Sequence, residues 1–266
     1  MKRVILCLII FLSVLFTAVY AQLVEPKRYI CYKTDGSITI DGRLDEPSWK
    51  KAPCTDLFVD IEGDVQPRPR FCTRAMMVWD DTYFYVAVDI EEPDVWGTLA
   101  KRDTVIFYDN DFEVFIDPNG DVLEYYEFEM NALNTGWDLL LGTSKEEKGP
   151  TGNAWDIQGL RHAVQIYGTL NYPEDVDRGW SVEIAFPWEA LAQYAHDRST
   201  SPKDDDRWRV NFSRVEWQRE RIGMVYRKIA GKREDNWVWS PQGVINMHIP
   251  GKWGYVQFST AIAGTR

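Results

Sequence analysis

Short runs of β-branched and aromatic residues, each broken by a turn signal, constrain this chain more than any other feature of its sequence. Residues 37–40 end at Asp41-Gly42, 75–79 at Asp80-Asp81, and 112–116 at Asp117-Pro118-Asn119-Gly120-Asp121. Alternation of apolar and polar positions predicts strands there. The same pattern predicts strands at 83–90, 124–131, 162–168, 180–186, 208–216 and 253–258. Helical periodicity is confined to a turn or two at 187–194, where Pro187 can open a helix. Many short strands at regular spacing predict an all-β chain, an antiparallel β-sandwich with jelly-roll or immunoglobulin-like layers and few short helices. No internal repeat or low-complexity linker divides it. The polar stretches at 145–153 and 199–206 read as loops within a single domain.

With 266 residues, 45% of them hydrophobic, the chain can bury a large core. Its 41 acidic against 30 basic residues give a formal charge of −11, which repels a phosphate backbone and argues against nucleic acid as partner. Three histidines and four cysteines argue against a zinc, haem or disulfide scaffold. A serine nucleophile elbow and a phosphate-cradling glycine loop are both missing, so acyl-transfer chemistry has no support, no catalytic residue is assigned from these motifs, and no organic cofactor is expected.

The amino terminus has its own grammar. Met1-Lys2-Arg3 precedes an apolar run over 4–16, and Thr17-Ala18-Val19-Tyr20-Ala21 leads to the polar Gln22. That order describes a secretory signal peptide over 1–21, cleaved after Ala21. It implies a secreted or periplasmic protein over 22–266, with no membrane span after removal of the leader. Cys31, Cys54 and Cys72 then remain, an odd number. One disulfide is possible among them, and spacing does not choose the pair; three small buried hydrophobes are the alternative.

The most informative segment is 109–131. Successive side chains of a strand point to opposite faces. Phe112, Val114 and Ile116 therefore share a core face, and Asp111, Glu113 and Phe115 the other. On the returning strand Glu127, Glu129 and Asn131 alternate with Tyr126, Phe128 and Met130. A turn at 117–121 would set Glu113 near Glu127 and Asp111 near Glu129. Like charges opposed across a sheet are unfavourable, so something must compensate: Arg102, Arg209 or Arg214, a cation, or water. Asp117, Asn119 and Asp121 offer oxygens at every second position around Gly120, a pattern suited to a structural calcium ion. A pair of sheet-face carboxylates could also serve glycoside hydrolysis, given the right separation.

Twelve tryptophans offer flat rings for the apolar faces of sugars. Trp237 and Trp239, within Glu234-Asp235-Asn236-Trp237-Val238-Trp239-Ser240, combine rings with polar neighbours. Trp49, Trp79, Trp180, Trp188 and Trp208 sit in apolar patterns and read as core.

The motifs together carry a resemblance. Ile40-Asp41-Gly42-Arg43-Leu44-Asp45-Glu46-Pro47-Ser48-Trp49 resembles the opening of family 9 carbohydrate-binding modules. Trp79-Asp80-Asp81-Thr82-Tyr83-Phe84-Tyr85-Val86, Asp111-Phe112-Glu113-Val114-Phe115-Ile116-Asp117 and Trp180-Ser181-Val182-Glu183-Ile184-Ala185-Phe186-Pro187-Trp188 match later strands. Trp253-Gly254-Tyr255-Val256-Gln257-Phe258 matches the ending, so the likeness spans nearly all of 22–266. It is greatest to stand-alone secreted bacterial proteins of this kind. The resemblance implies a β-sandwich that binds oligo- or polysaccharide without cleaving it, often with structural calcium. The family's two clamping tryptophans fall at Phe107 and Met247, and its sugar-contacting arginine at Glu129. The expected carbohydrate contacts are Phe107, Tyr108, Asp111, Glu113, Glu129, Asn131, Trp237 and Trp239, with Asp117, Asn119 and Asp121 for the metal. Two rivals stand beside this reading: a glycoside hydrolase acting through sheet-face carboxylates, and a protein-interaction sandwich that has lost sugar binding.

Overall fold

The computed structural model describes residues 25–142, 155–192, 195 and 201–265. The leader expected over 1–21 and the loop over 145–153 lie outside them. One half of the fold carries β2 (Val59–Asp60), β5 (Asp111–Asp117), β6 (Tyr125–Asn131), β7 (Gly136–Leu141), β10 (Arg207–Glu216) and β13 (Asp235–Val238). The other carries β3 (Thr73–Trp79), β4 (Tyr83–Glu91), β8 (Arg161–Tyr167) and β9 (Gly179–Pro187). β1 (Arg28–Lys33) and β14 (Gly254–Ile262) join them, so that the described strands form one curled sheet in the order β7-β6-β5-β10-β14-β1-β3-β4-β9-β8. β13 pairs with β10, β2 pairs with β13, and β11 (Arg219–Ile222) and β12 (Val225–Lys228) make a separate hairpin.

Period-two patterning explains how the two halves meet. Phe112, Val114 and Ile116 of β5 and Tyr126, Phe128 and Met130 of β6 share one core with Val86, Val88 and Ile90 of β4 and Val182, Ile184 and Phe186 of β9. The expected sandwich layers are present. They differ from a purely antiparallel plan at β1, which runs parallel to both β14 and β3.

Residues 37–40 form no strand. Side chains of the sheet hold this segment in place of a backbone ladder. The buried Glu183 carboxylate accepts hydrogen bonds from Asp41 N (2.9 Å), Gly42 N (2.9 Å) and Trp49 Nε1 (2.7 Å), and Ser181 Oγ donates to Gly42 O (2.6 Å). Gly42 has φ +86°, and a Cβ there would come within 2.5 Å of Gln165 N. The sequence Asp41-Gly42 followed by Trp49 is thus a cover for the outer face of β9. Of the short helix expected at 187–194, Trp188–Leu191 is helical, while 193 and 194 lie outside the described residues.

Cys31 is buried in the core, and Cys54 and Cys72 are exposed. Cys54 faces Met76 across an isolated bridge. Cys72 is four residues away along that run, about 13 Å at the rise of an extended chain. That exceeds the ~7 Å Cα limit for a disulfide, and all three thiols are free.

A buried ionic network ties the two halves together at one end. Arg214 Nη2 bonds Glu92 (2.9 Å) and Glu216 (2.8 Å), Arg214 Nη1 donates to Thr73 Oγ1 (3.0 Å), and Arg219 reaches Glu92 (2.6 Å). Asn110 Nδ2 donates to both glutamates at 2.8 Å. Removing one partner of such a set strands the others without compensation, so Arg214→Ala should destabilise the fold by about 3–5 kcal/mol in denaturant titration.

His162 offers a second test. It packs on Phe128 (ring centroids 5.1 Å apart), and burial lowers its pKa from 6.5 to about 4. The fold therefore favours the neutral ring, a contribution intact above about pH 6.5 and lost as pH falls through about 4. Relative to His162→Gln, the wild-type melting temperature should drop across that window and run parallel above pH 7.

Candidate functional site

The charged face of the hairpin is the floor of a cleft. Trp137, Glu129, Glu113, Ser213 and Val238 follow one another across β7, β6, β5, β10 and β13. On one side of that row Phe115 stands between Glu127 and Asn211, and on the other Asp111 stands between Asn131 and Val215. The register differs by two residues from that expected, which put Glu113 opposite Glu127. The reason is the length of the turn. Asp117 accepts from Gly120 N (2.8 Å) and Val122 N (3.0 Å), Asp121 accepts from Leu123 N (2.9 Å), and Val122 takes φ +64°. These bonds keep 118–124 out of the ladder.

Two walls rise from this floor. On one side the 3-10 turn Ile106–Tyr108 carries the half-buried Phe107, whose N–H donates to Glu129 Oε2 (3.1 Å). Trp217 Nε1 donates to Phe107 O (2.8 Å), and Lys228 donates to Tyr108 O while lying 3.5 Å from the Trp217 ring centroid. On the other side Met247 packs with Phe115 and Trp253, and Trp253 Nε1 donates to Met247 O (2.8 Å). Tyr125 OH bonds His248 Nδ1 at 2.9 Å. The space between the walls is about 190 Å³, with Asn236, Asn246 and His248 adding polar groups at its edge.

The floor is strongly acidic and poorly compensated. Asp111 is 0%, Glu113 5%, Glu127 4% and Glu129 2% exposed. Burial raises the Glu113 pKa to about 7, and burial with the Glu113 charge raises that of Glu127 to about 8. Burial first, then neighbouring carboxylates, pushes Asp111 and Glu129 well above the usual range. None of the three arginines expected to balance these charges forms a salt bridge with them. Arg214 faces the core, Arg102 holds Asp138 and Asp156, and Arg209 donates to Gly251 O, Trp253 O and Tyr255 OH.

The expected contact residues thus divide. Phe107, Glu113 and Glu129 line the cleft, and Asp111 lies buried beside them. Asn131 is spent on structure: its amide donates to Leu99 O and Asp109, and its oxygen accepts from Leu133 N and Thr135 N. Tyr108 is exposed and does not line the cleft; Trp237 and Trp239 are 3% and 1% exposed and belong to the core, where no sugar face can reach them. Their alternation with Val238 was itself a strand signal. Glu127, Asn236 and His248 also line the cleft and are not among the expected contacts; Glu127 carries a local signal in its alternation with Glu129, and Asn236 in its place beside Trp237.

A larger groove of about 1250 Å³ runs over the other half, past Arg74, Asp89, Glu91, Tyr167 and Arg178. Its charges are mixed, and its one aromatic face is already covered, with the Arg178 guanidinium 3.8 Å from the Tyr167 ring centroid. The smaller cleft is the better-built site.

Curled sheet, sealed core and a polar cleft on an outer sheet face define a small β binding module. The carbohydrate family 9 binding domain-like model matches residues 40–202, and the chain belongs to that family. Exoglucanase XynX of Acetivibrio thermocellus is 26% identical over 156 residues, which are 59% of this chain and 12% of that protein. Endo-1,4-beta-xylanase A of Thermoanaerobacterium saccharolyticum is 25% identical over 156 residues, 59% of this chain and 11% of the xylanase. The chain thus spans only a small part of the curated relatives it matches. Among solved structures, a family 9 carbohydrate-binding module of Caldicellulosiruptor kristjanssonii in complex with cellotriose superposes with a TM-score of 0.57 at 15% identity, covering 88% of this chain and 94% of that one. A Bacteroides uniformis protein superposes with a TM-score of 0.64 at 17% identity, covering 88% and 99%. At these identities the structures establish the shared fold.

The Phe107 wall generates a prediction. Trp217→Phe removes the hydrogen bond to Phe107 O and should cost about 1 kcal/mol. Amide exchange measured by mass spectrometry should accelerate at 106–109 and stay unchanged in β5 and β6.

Proposed function

We propose that this protein binds saccharide non-covalently in the cleft between Phe107 and Met247. The observation that carries the reading is their position. The two residues that the family resemblance sets at the sugar clamp lie far apart in sequence and line one cleft over a polar floor. A pyranose has an apolar C–H face that can rest on the Phe107 ring, and the flexible thioether of Met247 can shape itself to the opposite face. Hydroxyls would then meet Glu113, Glu129, Asn236 and Asn246. The leader read at 1–21 supports a role outside the cytoplasm, where polysaccharides are met.

Glu113 and Glu129 are the carboxylates that a cleavage reading would have to use. Donor oxygens of Glu113 and Glu129 can lie within 4.8 Å of each other. Retaining glycosidases place their carboxyls ~5–5.5 Å apart and inverting ones ~6.5–9.5 Å apart, flanking the scissile bond. These two stand side by side on neighbouring strands.

Calcium at Asp117, Asn119 and Asp121 has less support. Asp117 spends an oxygen on each of two backbone N–H groups, and the Asn119 amide donates to Asp121 (2.7 Å), so the turn is closed by its own donors.

Calorimetric titration with gluco- and xylo-oligosaccharides, in buffer containing calcium, tests the function. Phe107→Ala and Met247→Ala should each weaken binding about tenfold or more, the cost of losing one well-packed apolar contact. Flat titrations across both series and across a glycan array would refute the reading, and product release from these sugars would favour the hydrolase.

A further inference from the structure

The acidic floor points to a ligand of its own. Asp111, Glu113 and Glu129 can each offer an oxygen such that all three atoms lie within 4.8 Å of one another. Oxygens bound to one calcium ion at ~2.3–2.6 Å can be no farther apart than about twice that distance, so a single ion can touch all three. A second observation is independent of the clustering. Asp111 Oδ2 and Glu127 Oε2 are buried and have no hydrogen-bond partner among the described residues. Buried acceptors without donors are costly, and a sheet with this many bonded neighbours has little reason to keep them unless something occupies the space.

The other acidic groupings are compensated, although Asp103 Oδ1 is likewise buried without a hydrogen-bond donor. Asp103, Asp138 and Asp156 also cluster, but Arg102 sits among them with ion pairs to all three. The turn at Asp117, Asn119 and Asp121 satisfies its own oxygens. Lys228 donates to Tyr108 O and lies over the Trp217 ring, so that it acts on Asp111 through its charge and forms no ion pair with it. Of the two acidic clusters among the described residues, the one at the cleft floor holds no ion pair with a basic side chain.

We propose that Asp111, Glu113 and Glu129 hold a hard divalent cation of the calcium class at the floor of the cleft, and that the ion completes its coordination with hydroxyl oxygens of the bound saccharide. The proposal rests on the sugar-binding reading and gives it a mechanism. Three carboxylates supply the charge, and Ca²⁺ accepts six to eight oxygens. Positions left open on the side of Glu113, Glu127 and Glu129, which line the cleft, can take two neighbouring hydroxyls. Glu129, at the position where the resemblance sets a sugar-contacting arginine, then serves the ligand through the ion instead of by direct donation. Glu127, adjacent on the same face, is placed to accept from a water or hydroxyl on the ion.

The test uses protein treated with EDTA and dialysed. Titration with CaCl₂ in the absence of sugar should give one saturable heat and a higher melting temperature. Glu113→Gln/Glu129→Gln should abolish both effects, whereas Asp117→Asn should keep them. In EDTA the double variant should melt no lower than the wild type, because it removes two buried like charges; this separates loss of the ion from loss of the fold. Oligosaccharide affinity should fall tenfold or more when calcium is replaced by EDTA. Absence of calcium binding, with protons alone balancing the floor, overturns the proposal. So does equal binding by the double variant, or sugar affinity indifferent to chelation. Calcium binding that depends on Glu113 and Glu129, with flat sugar titrations throughout, would instead uphold the ion site and refute the sugar-binding reading.

Discussion

Strand β5 is hydrogen-bonded along both edges, to β6 and to β10, and so leaves its side chains only two directions. Inward go Phe112, Val114 and Ile116, which fill the space between the two halves. Outward go Asp111, Glu113 and Phe115, and with them the floor of the cleft. Core and site are opposite faces of one ladder. A one-residue slip would bury the acids in the apolar core and expose the rings, so the register that seals the core also fixes the site.

Holding that ladder in place requires closure at its margins. Arg214, Arg219, Glu92, Glu216 and Asn110 join β10 to the end of β4, with two basic and two acidic groups sealed together. On the far half Glu183 gathers Asp41, Gly42 and Trp49 over the outer face of β9. The opening family motif is thus a structural clasp, distant from the cleft. Closer in, the Trp217 and Lys228 contacts fix the turn that carries Phe107. Preorganised walls matter because ordering a loop on binding costs affinity.

Much of this was written locally in the chain. Alternation identified β3, β4, β5, β6, β8, β9, β10 and β14, because each is apolar on one face. It also held the true position of Arg214, which shares its parity with Val210 and Phe212 and so points inward. Spacing could not reveal the side-chain bonds of the 118–124 turn, and these set the register of β5 against β6. β1 went unread because Arg28 and Lys33 flank a short apolar centre. β13 is hard to read because it spans only four residues, and Trp237, like Trp239 just beyond its end, turns its ring to the core. The Met247 wall comes from a segment more than a hundred residues from Phe107, and only the order of motifs along the whole chain joins the two.

The account comes down to where a sugar sits. A crystal structure of the protein with a bound gluco- or xylo-oligosaccharide decides it most directly. The expected result is a sugar ring between Phe107 and Met247, with hydroxyl oxygens over Glu113 and Glu129. A sugar seated instead along Tyr167 and Arg178 on the opposite half, with the Phe107 cleft vacant, would contradict it.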